Sequence, residues 1–465
     1  MAPLAPRFDV TAPAVPLADL GHVHLIAIGG AGMSAVARLL LARGVTVSGS
    51  DAADSPTLEV LRSLGARVHV GHDADHLTGV DTVVVSSAIR DDNLELAAAR
   101  TMGLRVLHRS QALASLMAGS RRVAVAGANG KTTTTSMLVV ALEAAGADPC
   151  FASGGEIAQL GTNAAIGSGD AFVVEADESD GSFLAYRPDV AVVTNVQPDH
   201  LDYYGTAERV EQAYTEFVST VPADGLVVAC WDDPGSRRLA RAVRDRGRDV
   251  VTYGYRAGAD LQVLSTEPDG LGTRSPFVVA GVERILDLAV PGEHNVMDAC
   301  AAYLAAVEGL GAAADAVLVG LAGFAGARRR FEVRGEVGGV TVVDDYAHNA
   351  PKVGARHLPA APLHPHPGLR GRVRRRAGTC GPGRPPGRLR GPGGAGRRHQ
   401  LVVDRRPAGG AAGGADGARR DCSRRCRRRR RRSGRPRGPR ARRGSRGRHG
   451  ARTPGARGAA RPQRR

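Results

Sequence analysis

Short apolar runs alternate with amphipathic or alanine-rich stretches through the first two thirds of the chain, a pattern that predicts strands separated by helices. The first runs lie at 22–28, 45–48, 66–70 and 82–86, with a helical run at 35–42 after the first, and they predict a parallel sheet covered on both faces. A helical linker at 110–118 leads to a second series, with strands at 123–126, Ala171–Glu175, 189–194, Leu226–Cys230 and 249–254 and a helix at 136–145. A β-rich insertion at 276–292 closes this unit and is followed by an alanine-rich helix at 296–308. A boundary near Gly323 precedes a hairpin-like pair whose second strand is 340–343. After residue 353 the pattern stops: the chain becomes Arg, Gly, Pro and Ala with almost no strand-like run, a composition that cannot bury a core.

Charge sharpens that division. From residue 354 on there are 35 Arg, no Lys and three Asp or Glu, a balance of +32, which leaves −15 for the residues before it within the overall +17 of the 465-residue chain. The basic total therefore describes only the tail, and the part that carries the motifs is acidic. The six cysteines have no paired C-x-x-C spacing, which speaks for a reducing cytoplasm and against a disulfide framework or a zinc site. No stretch reads as a signal peptide or a membrane-spanning helix.

The most informative stretch is Val123-Ala-Val-Ala-Gly-Ala-Asn-Gly-Lys-Thr-Thr-Thr-Thr135, which reads as strand, phosphate loop and helix. Helix-start N–H groups, the helix dipole and Lys131 would converge on the β- and γ-phosphates of ATP, with Thr132 placed to ligate Mg²⁺. The spacing is the short G-x-x-G-K-T, with Val125 where the longer form has glycine. Glu175 ends the next strand, where ligands of open parallel sheets bind, and with Thr132 it forms a hard-oxygen pair suited to Mg²⁺. A third strand end brings Asp199-His200 to the same edge. Gly29-Gly-Ala-Gly-Met-Ser34 and Asp51 open a Rossmann-like unit with a turn for a diphosphate and an acid for a ribose, although helix–sheet packing explains such a turn equally well. Asn295 reads equally as a helix cap. Arg329 or Arg330 is either a charge for a transferring phosphoryl group or part of a solvated basic cluster.

From about residue 22 to 353 the sequence resembles the Mur ligases. The marks are Gly29-Gly-Ala-Gly-Met-Ser34, Ser48-Gly-Ser-Asp51, Ser86-Ser-Ala-Ile89, the Gly-Lys-Thr loop, the run from Glu175 to Phe183, Asp199-His200 and Asp344-Asp-Tyr-Ala-His348. The chain departs at Ala128-Asn129, where the members of the family that it most resembles usually have Thr-His, a change expected to touch affinity more than chemistry. The resemblance implies ATP-dependent amide ligation with Mg²⁺ in peptidoglycan precursor synthesis, with UDP-N-acetylmuramate and L-alanine as substrates. It implies that Gly30, Ala31, Gly32, Met33, Ser34, Asp51, Ser86 and Ser87 hold the UDP-sugar. ATP would meet Gly127, Ala128, Asn129, Gly130, Lys131, Thr132, Thr133, His294, Asn295 and Asp345. Thr132, Glu175 and His200 would serve the metal, and Lys131, Glu175, His200 and His348 the reaction, to which the reading of Arg330 as a charge for the transferring phosphoryl group adds a further catalytic candidate.

The expected fold class is α/β. A leader at 1–20 precedes a Rossmann-like N-terminal domain at 21–118, and a central P-loop ATPase-type α/β domain spans 119–323. The start of a truncated C-terminal α/β domain at 324–353 then gives way to a disordered Arg-rich tail at 354–465. Members of the family continue into a third α/β domain at that point. Codons able to encode residues 358–375 also read, one base on, as F-Q-P-H-L-S-T-R-T-R-D-F-A-A-E-F-A, which resembles that domain, and residues 378–400 recode in the same frame. The reading frame is therefore expected to have been lost between residues 351 and 358, leaving a chain that binds the sugar nucleotide but ligates poorly. The rival readings are another Mur-type or folylpolyglutamate-type ligase, and a non-enzymatic nucleic-acid binder acting through the tail.

Overall fold

Five parallel strands, β1 (Val23–Ile26), β2 (Val47–Asp51), β3 (Arg67–Val70), β4 (Thr82–Val85) and β5 (Arg105–His108), form the first sheet in the order β3-β2-β1-β4-β5. The computed structural model describes residues 8–270 and 272–326 and the backbone of 332–337, 340–344 and 400–403. By internal contacts the chain divides into Met1–Pro407 and Ala408–Arg465, and the second unit lies outside the described residues. In the first sheet the strand order reverses between β1 and β4, so a crevice opens beyond their C-terminal ends. The glycine turn follows β1 and Ser86-Ser87 follows β4, which places both predicted features at that crevice.

The second sheet has eleven strands. They are β6 (Arg121–Ala126), β7 (Cys150–Ile157), β8 (Thr162–Ala165), β9 (Ala171–Glu175), β10 (Val190–Val193), β11 (Leu226–Cys230), β12 (Val250–Gly254), β13 (Leu261–Val263), β14 (Glu267–Asp269), β15 (Gly272–Val279) and β16 (Val282–Leu288). The parallel part runs β13-β12-β11-β10-β6-β9-β7, with β6 between β10 and β9. Val123 to Ala126 and the whole of β10 are buried, as continuous β-branched and alanine runs require in strands covered on both faces. The hairpin β15–β16 is antiparallel and alternates buried with less buried positions, the mark of a sheet with one wet face.

Several pattern-based boundaries moved. The helix expected at 136–145 is Lys131–Ala144, because Gly130 at φ +89° starts it five residues earlier and the Thr132 and Thr134 hydroxyls find carboxylate partners instead of opposing it. The β-rich insertion begins at Leu261 rather than 276. The second strand, expected at 45–48, is Val47–Asp51. In the stretch expected to lack structure, Gln400–Val403 forms a strand, β19, against Val340–Asp344 (β18), which also pairs with Glu332–Val337 (β17). Leu401-Val-Val403 is the one β-branched run there. The rest of that tail lies outside the described residues, as do Arg329, Arg330, Asp345 and His348.

One feature of the first sheet left no apolar pattern to read. Glu95 is fully buried on the helix Leu94–Thr101, with His76 Nδ1 at 2.7 Å, His72 Nδ1 at 2.9 Å, His24 Nε2 at 3.5 Å and the Ser50 hydroxyl donating to it. Burial works to raise its pKa, but the bonds from His24, Ser50, His76 and His72 outweigh that and hold it down at about 2.

Candidate active site

The phosphate loop is built by β6, which delivers Gly127, Ala128, Asn129 and Gly130 to the start of the helix Lys131–Ala144. Gly130 is required twice over. It sits at φ +89°, and a Cβ there would stand 2.4 Å from Asp298 Oδ1. Gly130→Ala is expected to destabilise the protein by about 1–3 kcal/mol and to weaken nucleotide binding, as read by urea denaturation and by ADP titration. Asp298 also accepts the Thr134 hydroxyl at 3.0 Å, so the helix Glu293–Leu304 braces the loop from below.

Lys131 lies across the loop. Its Nζ donates to the Gly127 carbonyl at 2.7 Å and meets Glu178 at 3.0 Å from Oε1 and 2.9 Å from Oε2. Glu178 is only 2% exposed. Burial works to lower the Lys131 pKa, but the carboxylates of Glu178 and Glu175 outweigh it and hold the ammonium above its ordinary range. Lys131 is therefore charged at neutral pH and carries a carboxylate where a phosphate would go. The Tyr204 hydroxyl donates to the Glu178 carbonyl, which fixes the loop bearing this carboxylate.

Three adjacent strand ends meet here, as the spacing of motifs predicts. Glu175, the last residue of β9, accepts the Thr132 hydroxyl at Oε1 (3.0 Å) and the Gly154 N–H at Oε2 (2.7 Å). Beyond β10, Thr194 and Asn195 donate to the Asn129 carbonyl at 2.6 and 2.9 Å, and Asn195 Oδ1 accepts the Asn129 N–H at 2.9 Å. The Asn129 side-chain amide donates to Gln197 at 3.2 Å. The loop is thus tied to the strand behind it chiefly through the Asn129 backbone, and the Asn129 side chain adds the bond to Gln197. His200 has a left-handed backbone at φ +53°, a strained conformation for a non-glycine residue. Its Nε2 is 3.7 Å from Glu178 Oε1.

The hard-oxygen pair Thr132–Glu175 suits a divalent cation completed by phosphate and water. Among the described residues no group of three or more His, Cys, Asp and Glu is arranged to hold a metal by itself. His200 lies against Glu178. His294 and Asn295 lie in the first turn of the bracing helix, whose N-cap is Gly292. Asn295 is therefore not the cap, and its amide donates to the Pro291 carbonyl at 2.7 Å. Ala128 and Thr132 are buried, and Thr133 is half-buried in the first helical turn.

At the other crevice, Gly30 is the N-cap of the helix Ala31–Ala42, and Met33 and Ser34 are buried in its first turn. Asp51 accepts the Gly29 N–H at 2.9 Å, so the acid that ends β2 shapes the glycine turn. Ser86 is half-buried and Ser87 is exposed, its hydroxyl donating to Asp180. The two crevices are linked. Arg109 donates to Asp177 at 2.7 Å, while His108 Nε2 lies 3.1 Å from the Ser87 hydroxyl and 3.5 Å from Asp180. Asp177 and Asp180 belong to the same loop as Glu178, so the acidic run spans both edges. Burial would raise the Asp177 pKa, but Arg109 and then Lys131 hold it down at about 2.

Sequence reasoning missed Glu178, Arg109, Asp177, Asp180 and Asp298. The acidic run 175–180 was visible, but not which of its carboxylates faces which cation. Asp298, four residues beyond His294, sits one helical turn further along, a periodicity that was there to be read.

Two family models match the chain, the Mur ligase family catalytic domain over residues 22–121 and the Mur ligase middle domain over 125–306. A UDP-N-acetylmuramate–L-alanine ligase of Kineococcus radiotolerans is 59% identical over 350 residues, 75% of this chain and 74% of the relative. One from Renibacterium salmoninarum is 56% identical over 343 residues, covering 73% of each. Among solved structures, a UDP-N-acetylmuramate–alanine ligase from Thermotoga maritima matches 72% of this chain and 76% of its own at 30% identity, with a TM-score of 0.63.

Proposed function

The chain belongs to the Mur ligase family, and we propose that it joins L-alanine to the carboxylate of UDP-N-acetylmuramate in an ATP-driven reaction. The observation that carries this reading is the acidic loop 175–180, which joins a phosphate loop on one sheet to a glycine turn on the other through Glu178–Lys131, Asp177–Arg109 and Asp180–Ser87. A phosphoryl donor and a sugar-nucleotide acceptor bound at two such edges stand on either side of one loop. Proximity of that kind removes much of the entropic barrier to transfer between bound reactants.

The chemistry follows in two steps. The muramoyl carboxylate attacks the γ-phosphorus of ATP, the β,γ-bridge breaks and ADP leaves, giving an acyl phosphate. The amine of alanine then adds to the acyl carbon, the C–O bond breaks and inorganic phosphate departs, leaving the amide. No covalent nucleophile on the protein is needed, so charge placement is the protein's main task. Lys131 exchanges Glu178 for the β- and γ-phosphates and neutralises charge as it develops. The backbone N–H groups at the start of the helix, from Lys131 on, cradle the phosphates, and Asn195 and Thr194 hold the loop before them in shape. Thr132 and Glu175 would hold Mg²⁺, which supplies further neutralisation of the phosphate oxygens. His200 and His348 remain assigned by their place in the family motifs, and Arg330 by the charge it would offer a transferring phosphoryl group. Asp51 and Ser87 would meet the UDP-sugar.

Titration calorimetry tests this reading. One UDP-N-acetylmuramate and one ADP per chain should bind without competing, whereas mutual exclusion would contradict two sites. Glu175→Gln should weaken ADP binding in Mg²⁺ by about tenfold, roughly the 1.4 kcal/mol that a factor of ten represents. Without metal the same variant should bind ADP no worse than the parent, because a negative charge has been removed beside the phosphates.

A further inference from the structure

The helix Arg109–Leu116 begins at the C-terminal end of β5, its first turn fixed by a capping box between His108 and Gln111. This places Arg109 over the glycine turn: a Cβ added at Gly32 would lie 2.5 Å from Arg109 Nη1. The guanidinium therefore covers the first turn of the helix Ala31–Ala42, where N–H groups and the helix dipole favour an anion. Its other nitrogen is engaged by Asp177 at 2.7 Å. Ser87, at the end of β4 across the same crevice, is likewise engaged by Asp180. His108 is 1% exposed, packs against Phe8 at 5.3 Å between ring centroids, and secures the Ser87–Asp180 contact.

Arg109 and Ser87 thus each hold a carboxylate from the loop that follows β9. We propose that Arg109 binds the diphosphate of the sugar nucleotide together with the glycine turn and Ser87, and that Asp177 and Asp180 are place-holders which this ligand displaces. The inference deepens the reading of the first crevice as the sugar-nucleotide site and rests on it. Its physical content is a competition. Each carboxylate satisfies a donor that would otherwise face the crevice unpaired, and ligand binding exchanges one oxyanion for another. The exchange also frees Asp177 and Asp180 beside Glu178, so arrival of the sugar nucleotide changes the charge around Lys131. A scaffold role for the two aspartates predicts the opposite sign, because removing a scaffold contact loosens the crevice and weakens the ligand.

The test is UDP binding to the full chain by calorimetry, with ADP binding measured on the same samples. Asp180→Asn and Asp177→Asn should each tighten UDP by about threefold or more, and Arg109→Gln should weaken it by at least about tenfold. Arg109→Lys should fall between parent and Arg109→Gln, since it keeps the charge but not the fork. Melting curves identify any variant that has lost its fold, and Arg109→Lys then decides in place of Arg109→Gln. Aspartate variants that bind UDP no better than the parent, or an arginine variant that binds it equally well, would overturn the proposal. If the parent chain binds ADP but not UDP, the assignment of the crevice itself fails, a distinct result.

Discussion

Replacing Lys131 with methionine is expected to lower ligation by about 10²–10³, the effect of removing a preorganised charge aimed at a developing anion. The same change leaves Glu178, 2% exposed, without its principal partner. A buried carboxylate deprived of its cation costs about 3–5 kcal/mol, so Lys131→Met is also expected to lower the midpoint of thermal unfolding markedly. The two effects separate in the double variant Lys131→Met with Glu178→Gln, which removes both charges from the buried site. Stability should return most of the way toward the parent while ligation stays lost. Ligation that recovers along with stability would mean that Lys131 acts only as a structural counter-ion. Glu178→Gln alone leaves Lys131 charged, with its bond to the Gly127 carbonyl but without the Glu178 counter-charge. It is expected to tighten ADP binding, because the phosphates no longer compete with a carboxylate for the ammonium.

The second large effect concerns the residues after 353. The sequence there is arginine-rich, and codons chosen to encode residues 358–375 read one base on as family-like sequence, so we propose that the frame was lost just ahead of them. The relatives are matched over about three quarters of their length, 74% and 73% for the two described above. A gene in which bases are restored between codons 351 and 358 is expected to encode a ligase at least about 100-fold more active than the 465-residue chain, since a whole substrate-positioning domain returns. Both proteins are expected to bind UDP-N-acetylmuramate with similar affinity, because the site proposed for it is on the first sheet. Resequencing those codons checks the premise, and expression of the two versions side by side checks the consequence. Equal ligation by both would show that residues 354–465 supply what the shifted frame encodes.

How much of this was legible in the sequence depends on the kind of interaction. Val123 to Ala126 and Val190 to Val193 read correctly as strands because a strand buried on both faces must be an unbroken apolar run. Lys131, Thr132 and Glu175 were legible because a phosphate loop and a strand-end carboxylate have fixed positions relative to their strands. The start of the helix at Lys131 was not, since four threonines in a row argue against a helix until Gly130, Glu175 and Asp298 supply its cap and its partners. Glu95 with its histidines is a buried polar cluster, and hydrophobic periodicity is blind to those. The ion pairs Arg109–Asp177 and Lys131–Glu178 join residues far apart in sequence, so their pairing emerged only once β5, β6 and β9 were placed.

The measurement that bears most directly on the central claim is phosphate release by the frame-restored protein with each reactant omitted in turn. Inorganic phosphate should appear only when ATP, UDP-N-acetylmuramate and L-alanine are all present, in one-to-one ratio with the amide product, and L-alanine should outpace every other amino acid offered. Release that proceeds without the sugar nucleotide, or faster with glutamate or a dipeptide than with L-alanine, would contradict it.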